Sequence, residues 1–197
     1  MTNDPGPFKA GPRFVGPNPS PSGNPVCNHH VVSTTKSNAD LAKALVDRGL
    51  LIFPLRPENK KPLTARGFHD ARNDASTWRR YPGALIGIPT ASFWVLDLDP
   101  PLEASVQTIC RRLRCEWREL TARCRLIVRT PRGGFHLYWR RSPGIAIRNA
   151  AGDIGKGIDT RGHDADGNPT GYIVAPGCML PDGRRYQIEK GCLDVLL

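Results

Sequence analysis

Two aspartates, Asp97 and Asp99, stand two residues apart in the apolar stretch "FWVLDLDPP" (residues 93–101). A short run of aromatic, β-branched and aliphatic residues that ends at proline predicts a buried strand. Because side chains alternate along a strand, both carboxylates are expected on one face, where they need a compensating positive charge. A divalent metal ion is the strongest candidate, since two-metal phosphoryl-transfer sites hold ions about 3.5 to 4 Å apart between such carboxylates.

A purely structural interpretation of the same pair stays open. Asp99 would cap a helix that starts near Pro100 and Pro101, and Asp97 would pair with an arginine. The acidic pair alone does not separate these two alternatives.

His136, in the segment "RTPRGGFHLYWRR" (residues 129–141), is a second candidate. Apolar and polar residues alternate here, which predicts a strand with one core face and one polar, basic face that carries the histidine. Gly133 and Gly134 would let the backbone approach a bulky ligand. A histidine among arginines is suited to hold a triphosphate, although a solvated strand with an idle histidine is the alternative. The neighbouring arginines are Arg129, Arg132 and Arg140.

A third carboxylate, Asp159, lies in "GKGIDTRG" (residues 155–162), flanked by Lys156 and Arg161. Near the first two acids it would complete a metal site, and the cations would be available for phosphates. The competing explanation is that Asp159 and Arg161 pair with each other beside a turn. Lys61, next to Lys60 on a polar loop, is a weaker candidate for a phosphate contact.

The composition limits the class of protein. The chain has 197 residues and a formal net charge of +10, which favours nucleic acid as a partner over a membrane, although a protein that is simply basic is the alternative. No stretch approaches the roughly 20 apolar residues of a membrane span, so a cytoplasmic location with reduced cysteines is predicted. The spacing of Cys110, Cys115 and Cys124 argues against zinc.

The pattern along the chain predicts how these residues are positioned. Residues 1–36 are rich in Pro, Gly and Ser and predict a disordered tail, whereas a helix capped by Ser37 and stopped by Gly49 follows. Strands are predicted at 50–55, 84–88, 93–98, 125–130, 134–140, 157–162 and 171–176, and further helices at 74–81 and 102–120. This indicates an α+β (mixed α/β) catalytic domain over residues 37–190, with residues 191–197 as the C-terminal end or the start of a truncated linker.

Four segments, in this order, resemble the bifunctional primase/polymerase (prim-pol) domain of the archaeo-eukaryotic primase superfamily. They are "LLIFPLRPENKKP", "LIGIPTASFWVLDLDP", "TPRGGFHLYW", and "GIDTRG" followed by "GYIVAPG". The similarity runs from about Ala39 to Tyr186. It implies an RNA-recognition-motif-like catalytic sheet with an additional N-terminal α/β part.

The resemblance also implies roles for individual residues. Asp97, Asp99 and Asp159 match the acids that bind two catalytic Mg²⁺ or Mn²⁺ ions, and His136 matches the histidine that contacts the incoming nucleotide. Arg161 and Lys61 are expected to help His136 hold the triphosphate. The implied function is template-directed nucleotidyl transfer on single-stranded DNA from nucleoside triphosphates, in replication of a plasmid, phage or similar element, with a replicative helicase or an initiator as a further partner.

Other arginines are expected to track the template backbone: Arg129, Arg132, Arg140 and Arg148. Two other functions use the same features, namely a replication initiator that mainly binds nucleic acid and a metal-dependent nuclease. The chain departs from the family at Thr90-Ala91, where Thr-Gly is usual, and in a long loop over residues 162–170. Because that loop contains Asp164 and Asp166, the identity of the third carboxylate stays open.

Overall fold

The computed structural model of the protein describes residues 37–197, and the predicted tail over residues 1–36 lies outside the described residues. The helices are α1 (Asn38–Val46), α2 (Thr77–Arg80), α3 (Leu102–Leu113) and α4 (Trp117–Arg123), with 3₁₀ turns at Gly67–Asp70 and Leu193–Leu196. The strands are β1 (Phe53–Leu55), β2 (Leu85–Pro89), β3 (Phe93–Leu98), β4 (Leu126–Arg129), β5 (Phe135–Arg140), β6 (Ala150–Gly155), β7 (Ile158–Arg161), β8 (Tyr172–Val174) and β9 (Gln187–Gly191). The predicted mixed α/β class is confirmed.

The strands form two antiparallel sheets. A three-stranded sheet has the order β1-β2-β8, and a six-stranded sheet has the order β6-β7-β3-β5-β4-β9. In the larger sheet β3 lies at the centre, paired with β5 on one side and with β7 on the other. The three segments that carry the candidate residues are therefore immediate neighbours.

Helix α1 follows its predicted signals. The Ser37 hydroxyl accepts a hydrogen bond from the backbone amide of Asp40 (3.2 Å), and Gly49 beyond the helix has φ +84°, which favours glycine. Leu41 and Leu45 on one side of the helix are completely buried. The helix thus packs one apolar stripe on the three-stranded sheet.

The predicted helix over residues 102–120 is wrong as a single element. Arg114 adopts a left-handed conformation (φ 52°) and ends α3, and α4 starts with a capping box between Glu116 and Glu119. The reciprocal hydrogen bonds of that box satisfy amides at a new helix start. The break lets two short helices, rather than one long one, cover the sheet.

Both faces of the central strands β3 and β5 pack against other parts of the protein, including the face of β5 that was predicted to be polar and basic. One face packs under α3 and α4 through Leu96, Leu98 and neighbouring apolar residues. The opposite face, which we call the inner face, packs against the three-stranded sheet through Val95 and Tyr138. His136 lies on the inner face and is only 6 % exposed. Alternation along the strand was predicted correctly, but the second sheet that covers its polar side was not.

The segment after β9 belongs to the core. Its apolar residues Leu193, Val195 and Leu196 are buried with the inner-face cluster. Cys110, Cys115, Cys124 and Cys178 are free thiols. Cys192 is disulfide-bonded. The expectation that the cysteines are reduced thiols is therefore wrong for this residue. None of the helices between residues 37 and 197 combines the length and the apolar content that crossing a membrane requires.

Candidate active site

Three candidate residues form one row across three neighbouring strands. Asp97 of β3 lies directly opposite Asp159 of β7 and, on its other side, directly opposite His136 of β5. Residues that face each other across an antiparallel pair have Cβ atoms about 4.5 to 5.5 Å apart. The register of the sheet therefore brings together side chains that are separated by up to 62 residues in sequence.

Along the inner face of β3, exposure increases toward the end of the strand. Val95 is completely buried, the Asp97 side chain is 21 % exposed, and the Asp99 side chain is 39 % exposed. Asp99 follows the last residue of β3 and keeps the alternation of the strand. The acids thus lie where the core between the two sheets opens to solvent, and a polar ligand can reach them.

His136 contacts Asp97 from inside the protein. Its Nε2 lies 3.4 Å from a carboxylate oxygen of Asp97, and its Nδ1 lies 3.3 Å from the hydroxyl of Tyr138. The ring of Tyr186 packs beside the imidazole at 5.5 Å between centroids. Burial lowers the pKa of His136, and the nearby Asp97 carboxylate only partly opposes this. A neutral imidazole at pH 7 follows.

Asp99 is paired with Arg132, which lies on the turn between β4 and β5. A guanidinium nitrogen of Arg132 donates to a carboxylate oxygen of Asp99 at 2.7 Å. The carboxylate of Asp99 does not cap α3, whose N-cap residue is Pro101 and makes no side-chain capping bond. The structural alternative for the acidic pair is thus only half right: an arginine is present, but it binds Asp99 rather than Asp97.

Asp159 is also paired, within its own strand. One carboxylate oxygen accepts from Arg161 at 2.8 Å, and the other accepts from the backbone amide of Gly152 on β6 at 3.0 Å. The side chains of Asp159 and Arg161 are 21 % and 29 % exposed. The predicted pairing of these two residues is present in the structure, and it leaves Asp159 on the same face as Asp97.

A lysine that was not selected from the sequence lies in the site. Lys60 has φ 61°, a backbone conformation that residues other than glycine rarely adopt. Its backbone carbonyl accepts a hydrogen bond from the hydroxyl of Tyr172 (3.1 Å). Burial lowers the pKa of Lys60, Arg132 lowers it further, and Asp97 partly restores it. The neighbouring Lys61, which was selected, is exposed. No local pattern distinguishes the two lysines, because the choice depends on a backbone conformation that is uncommon for lysine.

The structure shows why residue 134 is a glycine. A Cβ at this position would clash with the backbone carbonyl oxygen of Leu98. The glycine therefore lets the start of β5 approach the end of β3, next to the contact between His136 and Asp97. A close approach of the backbone is thus present between two strands, and an approach of Gly133 and Gly134 to a ligand stays a prediction.

The long loop over residues 162–170 uses its first acid internally. The carboxylate of Asp164 accepts hydrogen bonds from two backbone amides and the side-chain amide within the loop. The buried hydroxyl of Thr90 donates to the carbonyls that begin and end this loop, including that of Gly171 (3.0 Å). Asp159, rather than Asp164, is therefore the third acid that faces Asp97.

The remaining arginines predicted to contact the template have different surroundings. Arg129 forms an ion pair with Glu189 across β4 and β9. A guanidinium nitrogen of Arg140 donates to the carbonyl of Asp194 at 2.9 Å. Arg148 is exposed. These three are not gathered at the row of acids, so a template contact by them stays a prediction.

The donor set suits a hard divalent cation, but its arrangement is not that of a closed metal site. Carboxylate oxygens are the ligands that Mg²⁺ and Mn²⁺ prefer. Among residues 37–197, no group of three His, Cys, Asp or Glu side chains is placed so that it could hold a metal ion. Two of the three acids are paired with arginines instead.

Comparison with models of protein families gives a match that covers most of the chain. The family model described as "Bifunctional DNA primase/polymerase, N-terminal" matches residues 42–196. A search of curated proteins finds no match. The matched segment contains every residue of the site described above.

Proposed function

The chain belongs to the bifunctional DNA primase/polymerase family, and on this basis we propose that it synthesises DNA or primers by template-directed nucleotidyl transfer. The family implies an enzyme of the nucleotidyltransferase type. The finer proposal is that single-stranded DNA is the template, that nucleoside triphosphates are the substrates, and that the reaction serves replication of a plasmid, phage or similar element together with a helicase or an initiator.

The observation that carries the proposal is the row of Asp159, Asp97 and His136 across β7, β3 and β5. Two carboxylates that face each other in a partly open cleft repel one another unless a cation lies nearby. Asp99 adds a third carboxylate at the open end. This concentration of carboxylates, together with the basic side chains of Lys60, Arg132 and Arg161 beside them, supports a site that binds cations and phosphates.

We assign the metal-binding role to Asp97, Asp99 and Asp159. Divalent ions bound there would supply activation of the primer 3′-hydroxyl and neutralisation of the phosphate charge. Asp97 has the central position, because it lies between Asp159 and His136 in the sheet. Its substitution is therefore expected to be the most damaging of the three.

His136 orients Asp97 in this proposal. The tautomer with a proton on Nε2 presents an N–H to the carboxylate of Asp97, and Nδ1 accepts from the hydroxyl of Tyr138. Because the imidazole is neutral and buried, it contributes less charge to triphosphate binding than the cations do. We assign the charge to Lys60 and Arg161, which lie nearer to solvent.

We also infer that the six-stranded sheet contains the RNA-recognition-motif-like core. Strands β3, β4, β5 and β7 are the first to fourth strands of that unit in chain order, and they lie in the order β7-β3-β5-β4. A ferredoxin-like arrangement has its strands in this order, with all neighbours antiparallel. The three-stranded sheet with α1 and α2 then corresponds to the additional α/β part, although its strand β8 comes from the C-terminal half of the chain.

The test is extension of a labelled primer on single-stranded DNA with nucleoside triphosphates and Mn²⁺, repeated without primer. Wild type is compared with the double variant Asp97→Ala plus Asp99→Ala and with Asp153→Asn. The last removes an exposed carboxylate of β6 outside the row and is the matched control. We expect the double variant to lose extension and the control to keep it.

The same assay separates the competing functions. Shortened products that depend on Asp97 would identify a nuclease, and tight template binding without any extension would favour an initiator. Extension that survives the double substitution would refute the assignment of the acids.

A further inference from the structure

The exposed ion pair between Arg132 and Asp99 carries an inference that rests on the proposed function. We propose that Arg132 is a placeholder cation. Its guanidinium neutralises Asp99, and where Asp99 would hold a divalent ion, the guanidinium would leave that carboxylate for a phosphate of the incoming nucleotide. Arg132 then has two successive partners in one catalytic cycle, and it competes with the metal for the first of them.

The backbone that carries Arg132 is fixed, while its side chain is not. The turn is closed by a hydrogen bond from the amide of Thr130 to the carbonyl of Gly134 (2.9 Å), and Arg184 donates to the carbonyl of Pro131 (2.9 Å). In contrast, the Arg132 side chain is 64 % exposed. Its guanidinium can therefore change partner without any movement of the strands.

The backbone of Asp99 is held in the same way. Its amide donates to the carbonyl of Gly157 (2.8 Å), and its carbonyl accepts from the hydroxyl of Ser105 (3.2 Å). The bond with Arg132 is made by the carboxylate at the exposed end of the site. Exposed ion pairs of this kind contribute little to stability, so the exchange of partners requires little free energy.

The second pair in the site, Arg161 with Asp159, lacks these properties. Both of its side chains are less exposed, both residues lie in β7, and the second oxygen of Asp159 is held by the amide of Gly152. The ion pair between Asp159 and Arg161, whose two residues lie in the same strand, is therefore harder to separate than the ion pair of Arg132, which lies on a turn. Arg132, rather than Arg161, is therefore the cation that changes partner.

The charges of the site support an exchange. Three carboxylates face three cations, and the cations are Lys60, Arg132 and Arg161. A nucleotide that arrives with divalent ions brings both signs of charge. Acids and cations can then exchange partners without leaving a charge uncompensated, which is costly in a partly buried cleft.

The first test is the affinity for Mn²⁺ in the absence of nucleotide, measured by electron paramagnetic resonance of the free ion. Arg132→Gln removes the competitor, so we expect Mn²⁺ to bind about two- to five-fold more tightly, the range set by an exposed ion pair. Arg112→Gln, an exposed arginine of α3 on the other side of the sheet, removes the same charge and is the matched control. Unchanged Mn²⁺ affinity in Arg132→Gln would overturn the proposal.

A double-mutant cycle separates competition at Asp99 from a general effect of charge. In the Asp99→Asn background the placeholder has no partner, so Arg132→Gln is expected to leave the remaining Mn²⁺ affinity unchanged. An equal gain in both backgrounds would show a long-range charge effect and would also overturn the proposal.

The second half of the exchange is measured with nucleotide. In the presence of saturating Mn²⁺, Arg132→Gln is expected to bind a deoxynucleoside triphosphate or its ribonucleotide counterpart about ten-fold more weakly, through loss of a charge-assisted hydrogen bond. A higher affinity for Mn²⁺ together with a lower affinity for the nucleotide excludes a simple structural role of Arg132. An unchanged nucleotide affinity contradicts the exchange. These measurements need no turnover, so a wild type that fails to extend primers would remove the proposed function and leave this inference testable.

Discussion

The two faces of the six-stranded sheet are built from the same strands and serve different purposes. Beneath α3 and α4, β3 contributes Leu96 and Leu98 to a cluster of apolar side chains. On the inner face, the same strand contributes Val95 to a core and then Asp97 to a row of ionisable groups. Along β3 the helix-covered face is apolar from end to end, whereas the inner face changes from apolar to charged within two residues.

This difference shows how a fold can hold repelling carboxylates in place. Directly opposed like charges destabilise a strand pair, so the inner face alone would not fix the register of Asp97 against Asp159. A shift by one residue would, however, expose the apolar side chains of the other face to the inner cleft. The helix-covered face therefore sets the register, and the inner face uses it.

The largest expected effect is on the inner face. Asp97→Asn is expected to reduce the rate of primer extension by about 10³-fold or more, since it removes the central charge of the site. The free energy of unfolding, measured with urea, is expected to stay within about 1 kcal/mol of wild type because repulsion from Asp159 disappears together with the favourable contacts. A loss of several kcal/mol would contradict the separation of the two faces.

The next residue in the strand is expected to behave in the opposite way. Leu98 is completely buried beneath the helices, and Leu98→Ala is expected to lower the free energy of unfolding by about 2 to 5 kcal/mol. Extension by the remaining folded protein is expected to stay within about ten-fold of wild type. Urea unfolding and extension at a temperature where the variant is folded provide the two measurements.

A smaller effect is expected at Gly134, where the backbones of β3 and β5 approach each other closely. Because an added methyl group would meet the carbonyl of Leu98, Gly134→Ala is expected to cost about 1 to 3 kcal/mol and to slow extension by separating His136 from Asp97. Gly83→Ala is the matched control, since nothing lies within 4 Å of a Cβ there. Equal stability of the two variants would show that the strands can separate freely.

Much of the local structure could be predicted from the sequence. The strand that carries Asp97, the cap at Ser37 and the segments that became β5 and β7 follow from alternation and turn residues. These signals are local, because each depends on residues within a few positions of one another. They identified the acids and the histidine, and the resemblance to a family supplied their roles.

The rest depends on contacts between distant segments. His136 is buried although its strand alternates, because the ring of Tyr186 from a distant segment packs beside it, and no pattern around the histidine indicates that cover. The position of Lys60, rather than Lys61, beside the acids depends on the left-handed backbone conformation of Lys60. Tyr138 stands two residues after His136 on the same face of the strand, so alternation alone is enough to predict its place in the site.

The smallest expected effect is a change in the pH dependence of stability. Burial lowers the pKa of His136 below its usual value of 6.5, so between these two values the unfolded chain binds more protons than the folded one. Stability is then expected to fall as the pH drops through 6.5 and to stop falling below the pKa of the folded state, with a slope of at most about 1.4 kcal/mol per pH unit from one group. His136→Asn should remove this component from urea unfolding curves at pH 5 to 8, whereas His69→Asn, which removes an exposed imidazole, should keep it. A component that persists in His136→Asn would come from another group. Absence of the component in the wild type would mean that the inner face opens enough to hydrate the imidazole, and the contrast between the buried histidine and the solvent-reached acids would then be wrong.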